Sequence, residues 1–436
     1  MDLAGTIVRG DVLVEDGVIT GVGSAANARA VRLPAGYERI DASNGFVLPG
    51  FVQGHLHLCQ TLFRGRAEQC DLLHWLRAAI WPLEAAHTEA SIAASARLGV
   101  LELLAGGVTC INDMGTVHHT HAIAAVLEAT GIRAVFGKAL MDQGEGVPRG
   151  LRETAKAAID EALAIADRFH GAAAGRLRVA LAPRFILSCS EALWRDVREA
   201  SLSRGLLVHT HLAESPSEAA AVRAAVDDTA ARYFAAHDVL SPRFVGAHGV
   251  WLDPEELTAL KRADAALVHC PGSNLKLGSG LARVREWKRA GLRCGLGSDG
   301  AACNNRLDTF HEMSLASGVA RVQDPTAPLS AREVLSLATL DGATALGWQD
   351  AIGSLEAGKQ ADLIVIDASG AHLAPFAEHD PHVAIVEAAR PGDVKLTMVA
   401  GRVLYRDGAW ATLDPQRVVA DARAEAQGLM RRAAVA

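Results

Sequence analysis

The chain has 436 residues, half of them hydrophobic, and a formal net charge of −7 with acidic and basic residues interspersed. This length suits an α/β barrel with an additional small domain, and the absence of a basic block argues against nucleic acid as a partner. Seven scattered cysteines without a Cys-x-x-Cys pair indicate a reducing compartment, and no apolar run reaches the roughly 20 residues of a membrane span. We therefore expect a cytoplasmic protein that does not enter the membrane.

Strand-and-turn patterns occupy both ends of the chain. Residues 6–48 contain short apolar runs broken by the turn at 15–17, and the runs 361–367 and 396–405 have the same character. We predict that residues 1–48 and 353–436 form one small composite β domain of the sandwich type, with a surface helix over 415–434.

Between these ends, apolar strand patterns alternate with amphipathic helical stretches at 88–105, 151–169, 190–204, 216–236 and 254–263. The predicted strands are 47–53, 108–112, 132–139, 177–182, 206–211, 243–248, 265–269 and 292–297. Eight strands alternating with helices predict an α/β fold, a (β/α)8 TIM-like barrel over residues 49–352. An open doubly wound sheet is the alternative, but no Gly-x-Gly-x-x-Gly motif follows the early strands.

The first barrel strand ends in the sequence His55-Leu56-His57. Residues i and i+2 of a strand point to the same side, so both imidazoles can hold one metal ion. Chemistry in such a barrel takes place at the carboxyl ends of the strands. The sequence therefore predicts a metal site, most plausibly for zinc, at this end of the barrel.

Further polar residues follow the later strands. Strand 5 carries His209 and His211 with Glu214 three residues on, strand 6 ends at His248, and Asp299 follows strand 8. Three imidazoles and a carboxylate can bind one Zn²⁺ and leave a position for water. We choose His211 as the ligand because Glu214 can then lie beside the bound water and move protons, whereas His209 would lie a layer deeper. His248 is a candidate for either a ligand or a substrate hydrogen bond.

Two other features of the sequence are candidates for a second metal site. Strand 4 offers no lysine that could be carbamylated to bridge two metals, and Lys138 on strand 3 is the remaining candidate. The cluster of His118, His119 and His121 after strand 2 has the look of a second metal site, although a solvated loop is the better interpretation. We therefore predict one metal ion, with Fe²⁺ or Mn²⁺ as substitutes for zinc.

Several motifs together resemble the amidohydrolase superfamily. They are Pro-Gly-Phe-Val-Gln-Gly-His-Leu-His at 49–57, His-Thr-His-Leu-Ala-Glu at 209–214, Ala-His-Gly at 247–249 and Ser-Asp-Gly-Ala-Ala-Cys-Asn-Asn at 298–305. The likeness runs essentially end to end. Through 59–65, Trp75-Leu76, 80–84 and 299–305, the chain is most similar to the methylthioadenosine/S-adenosylhomocysteine deaminases and especially to their 5′-deoxyadenosine deaminase relatives.

This resemblance implies roles for individual residues. The metal ligands would be His55, His57, His211 and Asp299. Glu214 would be the proton shuttle, with His248 and Asp299 assisting at the attacked carbon. Substrate contacts would come from Glu84 to ribose hydroxyls, from Trp75 beside the nucleoside, and from His248. Arg184 stands where many of these enzymes have a ribose-binding histidine, so its guanidinium is a further candidate substrate contact.

The resemblance implies a zinc-dependent hydrolytic deaminase that converts an adenine nucleoside to its inosine-type product and ammonia, as a homo-oligomer. The alternative is hydrolysis of another electron-poor ring, such as guanine, a pterin or an s-triazine. Cleavage of a cyclic amide would call for a lysine-bridged pair of metals, which strand 4 does not supply. A catalytically dead scaffold would lack ligands, whereas this chain has the full set.

Overall fold

The structure is a computed structural model that describes residues 6–24, 26, 36–66, 71–375 and 379–433. Its strands in chain order are β1 (Asp11–Glu15), β2 (Val18–Gly23), β3 (Gly45–Pro49), β4 (Phe51–Leu56), β5 (Val108–Asp113), β6 (Arg133–Leu140), β7 (Leu177–Pro183), β8 (Leu207–Leu212), β9 (Phe244–His248), β10 (Ala266–His269), β11 (Arg293–Leu296), β12 (Leu363–Asp367), β13 (Val394–Val399), β14 (Arg402–Arg406) and β15 (Ala409–Trp410).

The α-helices are α1 (Leu72–Trp75), α2 (Trp81–Ala85), α3 (Glu89–Ala105), α4 (Thr120–Thr130), α5 (Ala155–Phe169), α6 (Glu191–Arg204), α7 (Pro216–Val226), α8 (Ala230–Ala236), α9 (Pro254–Arg262), α10 (Pro271–Lys276), α11 (Val284–Arg289), α12 (Ala301–Asn304), α13 (Thr309–Gln323), α14 (Ala331–Leu337), α15 (Leu340–Ala345), α16 (Pro381–Val383) and α17 (Pro415–Ala433). Shorter 3-10 or π turns occur at Leu58–Phe63, Leu76–Ile80, Arg149–Leu151, Ile186–Ser188, Ala384–Ala388 and Pro391–Asp393, and an irregular turn at Ala172–Gly175.

Strands β4 to β11 form one parallel sheet in sequential order, as the predicted barrel requires. The sheet closes where β11 returns to β4: the N–H of Asp299 donates to the carbonyl of His55 over 3.1 Å. A Cβ at Gly297 would lie 2.7 Å from that same carbonyl oxygen, so a glycine is needed at the seam. The (β/α)8 barrel is thus confirmed, and its closing seam runs directly into the candidate site.

The predicted strand 47–53 is wrong as a single element. It is divided at Gly50 into β3, which pairs antiparallel with β12, and β4, which begins the barrel. A Cβ at Gly50 would lie 2.1 Å from the Thr109 side chain, so the chain turns between two sheets at a residue without a side chain. The predicted helix 216–236 is likewise two helices, α7 and α8, because Asp227 adopts a left-handed φ of 55° at the end of α7.

The small β region contains strands from both ends of the chain. One sheet has the order β15-β14-β13-β12-β3, and β1 pairs with β2 in a second sheet. Ile19 of the second sheet belongs to the same buried cluster as Leu363 and Val365 of the first, so the two sheets pack face to face as in a sandwich. The exact division at 48/49 and 352/353 stays a prediction.

At the amino end of the barrel strands, a buried ion pair joins the barrel to this β region. Arg133 donates from Nε and Nη2 to the two carboxylate oxygens of Asp362 over 2.8 and 2.9 Å. The same carboxylate accepts the N–H of Ala400, and the guanidinium lies 4.8 Å from the ring centre of Trp348. The Asp362 carboxylate is therefore fully engaged at this junction.

The apolar residues form separate buried clusters. The largest packs the outer helices onto the barrel, and another fills the barrel interior around Val52 and Val245. A third cluster, called the upper cluster here, lies at the carboxyl end of the strands and includes Trp75, Leu76 and Phe185 together with Ala422 and Leu429 of α17. The C-terminal helix predicted at 415–434 therefore packs behind the candidate site.

The cysteines described by the structure, namely Cys59, Cys110, Cys189, Cys270, Cys294 and Cys303, are free and buried, as predicted. Cys70 lies outside the described residues. In the part of the chain that the structure covers, no helix combines the length and apolarity needed to cross a bilayer.

Candidate metal and active site

Five polar residues from four strands meet at the carboxyl end of the barrel. His55 and His57 lie at the end of β4, His211 on β8, His248 as the last residue of β9, and Asp299 just after β11. All five are buried or nearly so. The strand ends thus bring together residues that are far apart in the sequence. His55 and Asp299, for example, are 244 positions apart.

The donor atoms of four of these residues are spaced as ligands of one ion. Asp299 Oδ1 lies 3.2 Å from Nε2 of both His55 and His57, and His57 Nε2 lies 3.2 Å from His211 Nε2. In a tetrahedral zinc site with bonds of about 2.0–2.1 Å, neighbouring donor atoms lie about 3.3 Å apart. The observed spacing matches the edges of such a tetrahedron.

A second grouping replaces His57 with His248. One donor atom from each of His55, His211, His248 and Asp299 lies within 4.8 Å of the others. His248 Nε2 is nevertheless 3.8 Å from the nearest Asp299 oxygen, whereas His57 Nε2 approaches to 3.2 Å. The shorter contacts favour His57 as the fourth donor, with His248 beside the donor set.

Outer hydrogen bonds set the protonation of the imidazoles. His211 Nδ1 lies 2.8 Å from the carbonyl oxygen of Arg184, so Nδ1 carries the proton and the Nε2 lone pair faces the centre. His55 Nδ1 lies 2.8 Å from His209 Nε2. Burial lowers the pKa of His55 to about 4 and that of His211 well below its usual value, so both are neutral and able to bind a metal.

Asp299 is held ionised. Burial alone would raise its pKa, but the adjoining imidazoles of His55 and His57 bring the pKa well below the usual value. Ser273 Oγ donates to Oδ2 and the N–H of Gly300 to Oδ1, each over 2.7 Å. This donor set of imidazoles and one carboxylate fits a divalent transition metal ion.

Glu214 and His248 face each other beside this centre. Glu214 Oε2 lies 3.6 Å from His248 Nε2, and neither Glu214 Oε1 nor His248 Nε2 has a hydrogen-bond partner among the described residues. Burial, followed by the charge of Asp299, raises the pKa of Glu214 well above its usual value. His248 Nδ1 is held 2.9 Å from Asn274 Oδ1, which directs Nε2 toward the site. Two buried polar groups are thus free to exchange protons with a ligand.

The backbone of three residues at this site has a strained conformation. Ala213, His248 and Asp299 have φ values of 48°, 76° and 59°, a left-handed conformation uncommon for residues other than glycine. Each follows or ends a barrel strand. Such strain is maintained only where the surrounding structure fixes it, and it is concentrated at functional sites.

A cavity opens onto the centre. Its apolar wall comes from the upper cluster and its polar side from the centre and its neighbours; the lining residues are His57, Gln60, Leu72, Trp75, Leu76, Arg184, Phe185, His211, Glu214, Glu218 and Asp299. An apolar wall with a few polar groups that converge on one point is typical of sites for small ligands. The predicted contacts Trp75 and Arg184 thus line the cavity.

Glu84 lies behind two of the lining residues. Its Oε2 accepts from Arg184 Nη1 over 2.5 Å, and its Oε1 accepts from Gln60 Nε2 over 2.9 Å. Burial opposes ionisation of Glu84, but the charge and hydrogen bond of Arg184 hold its pKa below the usual value. Glu84 and Arg184 are therefore an ion pair, which sequence reasoning had treated as two separate substrate contacts.

The other candidates lie outside the centre. Lys138 Nζ is 2.8 Å from Glu153 and 3.1 Å from Glu161 of α5, so it is committed to an ion pair and the second-metal alternative has no support. His118 lies 2.7 Å from the carbonyl of Gly150, and His121 lies 3.2 Å from Glu89 at the surface. His118 and His119 precede α4, as the loop interpretation requires, but His121 lies in the first turn of this helix; within the described residues, the candidate metal group does not include this cluster.

Sequence reasoning missed Gln60, Asn274 and Glu218. Glu218 had a detectable signal, because Ser215 and Glu218 have the Ser-x-x-Glu spacing of a helix start. Gln60 and Asn274 act through side-chain hydrogen bonds to Glu84 and His248, and no short motif predicts such pairings.

A parallel barrel with a histidine and aspartate centre at its carboxyl end defines a metal-dependent hydrolase. Comparison with known proteins identifies the family of hydrolases. The model of the Amidohydrolase family matches residues 46–404. The chain belongs to this family.

Relatives with known names agree with this assignment. The chain is 37% identical over 431 residues to a 5′-deoxyadenosine deaminase of Methanothermobacter thermautotrophicus, covering 98% of this chain and 96% of the relative. It is 37% identical over 434 residues to a 5-methylthioadenosine/S-adenosylhomocysteine deaminase of Natronomonas pharaonis, with coverage of 98% and 96%. The zinc-bound structure of an adenosine deaminase from Xanthomonas campestris superposes with a TM-score of 0.89 at 30% identity, covering 96% and 93% of the two chains.

Proposed function

We propose that this protein is a metal-dependent hydrolytic deaminase that converts an adenine nucleoside and water to the inosine-type nucleoside and ammonia. The observation that carries the proposal is the convergence of His55, His57, His211 and Asp299 on one point. Beside it lies the Glu214 carboxyl, whose Oε1 has no hydrogen-bond partner among the described residues. Relatives named as deaminases of 5′-deoxyadenosine, methylthioadenosine or S-adenosylhomocysteine support the substrate class.

The metal we propose is zinc, with Fe²⁺ or Mn²⁺ as substitutes, since imidazole and carboxylate donors accept all three. When bound, such an ion lowers the pKa of a coordinated water toward about 7 and so supplies a nucleophile at neutral pH. His55, His57, His211 and Asp299 would hold it. The neutral state of His55 and His211, enforced by burial, suits them to this role.

The chain's own groups would manage the protons. Glu214 would take a proton from the attacking water and deliver it to N1 of the adenine ring, which its raised pKa permits. His248, held through Nδ1 by Asn274, would direct Nε2 to the oxygen forming at C6. Asp299 would accept a proton and pass it to the departing amino group, so that ammonia leaves and the carbonyl of the product forms.

The cavity would bind the rest of the nucleoside. Trp75 and Phe185 supply flat apolar surface, and Arg184 presents guanidinium N–H groups beside the Glu84 carboxylate. A ribose hydroxyl is both donor and acceptor, so it can pair with the two members of this ion pair at once. Assembly into a homo-oligomer and a cytoplasmic location stay predictions.

The proposal is tested by ammonia release from zinc-loaded protein. The panel contains 5′-deoxyadenosine, methylthioadenosine, S-adenosylhomocysteine, adenosine, guanine and an aminotriazine, with chelated protein and Asp299→Asn as controls. We expect the adenine nucleosides to be deaminated, both controls to lose this activity, and zinc to restore only the chelated wild type.

Turnover of guanine or triazine alone would overturn the substrate assignment while keeping the metal site. Turnover that survives chelation and the Asp299→Asn substitution would overturn the metal centre itself. Glu84→Ala separates the substrates further, because loss of nucleoside turnover with retained triazine turnover would show that the ion pair serves the sugar.

A further inference from the structure

The segment that carries Glu214 differs from other helix starts in this chain. Helix α9 begins with Asp253-Pro254-Glu255-Glu256, and Glu256 Oε2 accepts the N–H of its own N-cap, Asp253, over 2.9 Å. Helix α14 begins with a Ser330-x-x-Glu333 pattern, and Glu333 Oε2 accepts the N–H of Ser330 over 2.8 Å. Both are ordinary capping boxes, in which the glutamate stabilises its own helix.

Helix α7 has the same Ser-x-x-Glu spacing but a different use of the glutamate. Ser215 Oγ accepts the N–H of Glu218 over 3.1 Å, as expected for an N-cap. Glu218 Oε2, however, accepts the N–H of Glu214 over 2.7 Å, one residue before the N-cap. Glu218 is 2% exposed and lines the same cavity as Glu214. The buried carboxyl therefore reaches back to the backbone of the proposed proton carrier.

The backbone at this point needs a restraint. Ala213 has a φ of 48°, so the chain turns sharply between β8 and Glu214. The carbonyl of Ala213 is held by the N–H of Trp251 over 3.0 Å, and the N–H of Glu214 by Glu218. Among the described residues, Glu214 Oε1 has no hydrogen-bond partner. The direction of the Glu214 side chain thus depends on how its backbone is held.

We propose that Glu218 is a positioning residue that fixes the Ala213–Glu214 turn and so aims the Glu214 carboxyl at His248 and the reacting atoms. This inference rests on the proposed function, in which Glu214 moves the protons. Glu218 would contribute to the rate of the chemical step and little to substrate affinity, because it acts through Glu214.

The test compares Glu218→Ala, Glu218→Gln and the matched control Glu256→Ala in zinc-loaded full-length protein. Glu256 is 1% exposed and also accepts two backbone N–H groups, those of Asp253 and Ala231, but it does not line the cavity. We expect Glu218→Ala to lower kcat about 10- to 100-fold with KM changed less than about threefold, as for displacement of a catalytic group by about 1 Å.

Glu218→Gln keeps a side-chain oxygen that can accept the N–H of Glu214, so it should restore kcat to within about threefold of the wild type. Glu256→Ala should lower the melting temperature at least as much as Glu218→Ala and leave kcat unchanged. Equal kcat losses in the two alanine variants, or no rescue by glutamine, would overturn the positioning role.

A second measurement does not depend on the substrate. Crystal structures of the zinc-loaded wild type and Glu218→Ala should show the Glu214 carboxyl moved away from His248 in the variant. An unmoved Glu214 would overturn the inference. If the wild type deaminates no adenine nucleoside, the proposed function fails, and the crystal comparison still decides what Glu218 does.

Discussion

Two buried arginine–carboxylate pairs lie at opposite ends of the barrel and differ in what surrounds them. Arg133 and Asp362 form a bidentate ion pair, and the same carboxylate also accepts a hydrogen bond from the N–H of Ala400. Arg184 and Glu84 form a single 2.5 Å contact beside an open cavity, which Arg184 lines.

We interpret the first ion pair as contributing to stability and the second as contributing to function. A buried ion pair whose hydrogen bonds are all made holds two parts of a structure together, and removing one partner is costly. Around the second pair, polar atoms such as Glu214 Oε1 and His248 Nε2 have no partner among the described residues. Unmatched buried groups destabilise the folded protein, so their presence at the strand ends points to use by a substrate or a metal.

The largest effect should follow from Glu214→Gln. Loss of a positioned acid–base group lowers kcat by about 10²- to 10⁴-fold, while the melting temperature should stay equal or rise, because an uncharged amide replaces a buried carboxyl. Steady-state kinetics and thermal unfolding of the same preparation check both. A variant that keeps more than a tenth of the wild-type kcat would contradict the role of Glu214.

At the other end of the barrel, Arg133→Ala should act on stability alone. It leaves the Asp362 carboxylate buried without its charge partner, so we expect a loss of about 3–5 kcal/mol in the free energy of unfolding and an unchanged KM. Urea unfolding measures the first quantity. The double variant Arg133→Met/Asp362→Leu should recover much of the loss, and its failure to do so would argue against the ion pair as the cause.

Matched conservative changes sharpen the comparison. Arg184→Lys keeps the charge but loses the planar fork, so KM for a nucleoside should rise about tenfold, equivalent to about 1.4 kcal/mol. Arg133→Lys serves as the control and should leave KM unchanged. Similar KM values for both variants would remove Arg184 from the substrate contacts.

A further effect concerns the dependence of stability on pH. Burial raises the pKa of Glu312 to about 8, against 4.5 in a model peptide, although Asn304 and the N–H of Gly272 donate to it. Between these values the folded chain holds a proton that the unfolded chain has released, so this group makes the protein less stable as pH rises from about 5 to 8. One such proton contributes at most about 1.4 kcal/mol per pH unit.

Glu312→Gln cannot titrate, so its unfolding free energy should fall less steeply over this range than that of the wild type. Urea unfolding at pH 5, 6, 7 and 8 measures the two slopes. Equal slopes would show that Glu312 is ionised throughout.

The sequence was sufficient to predict the elements whose pattern is local. The strand periodicity gave all eight barrel strands, and the positions of His55, His211 and Asp299 after those strands predicted that they meet. The strand periodicity placed the first strand inaccurately, because β3 and β4 form one continuous apolar run in the sequence. The break at Gly50 becomes visible only in the structure, where the side chain of Thr109, 59 residues further along the chain, lies close to Gly50.

Pairings between distant side chains could not be predicted in this way. Arg184 and Glu84 each looked like a separate contact, since nothing in the two segments indicates that they touch. The choice of His211 over His209 rested on the spacing to Glu214, and the structure adds the carbonyl of Arg184 that orients its ring. Such contacts depend on how the segment after β7 packs against β8 and against the segment after β4.

The upper cluster has a consequence for how this protein can change over evolutionary time. The apolar wall of the cavity belongs to this cluster, which is distinct from the clusters that pack the helices onto the barrel and fill its interior. Substitutions at Leu72, Leu76 or Phe185 therefore reshape the cavity without disturbing the barrel core. A lineage carrying this fold can acquire a new substrate through a few changes in one cluster, including changes in the C-terminal helix that backs it.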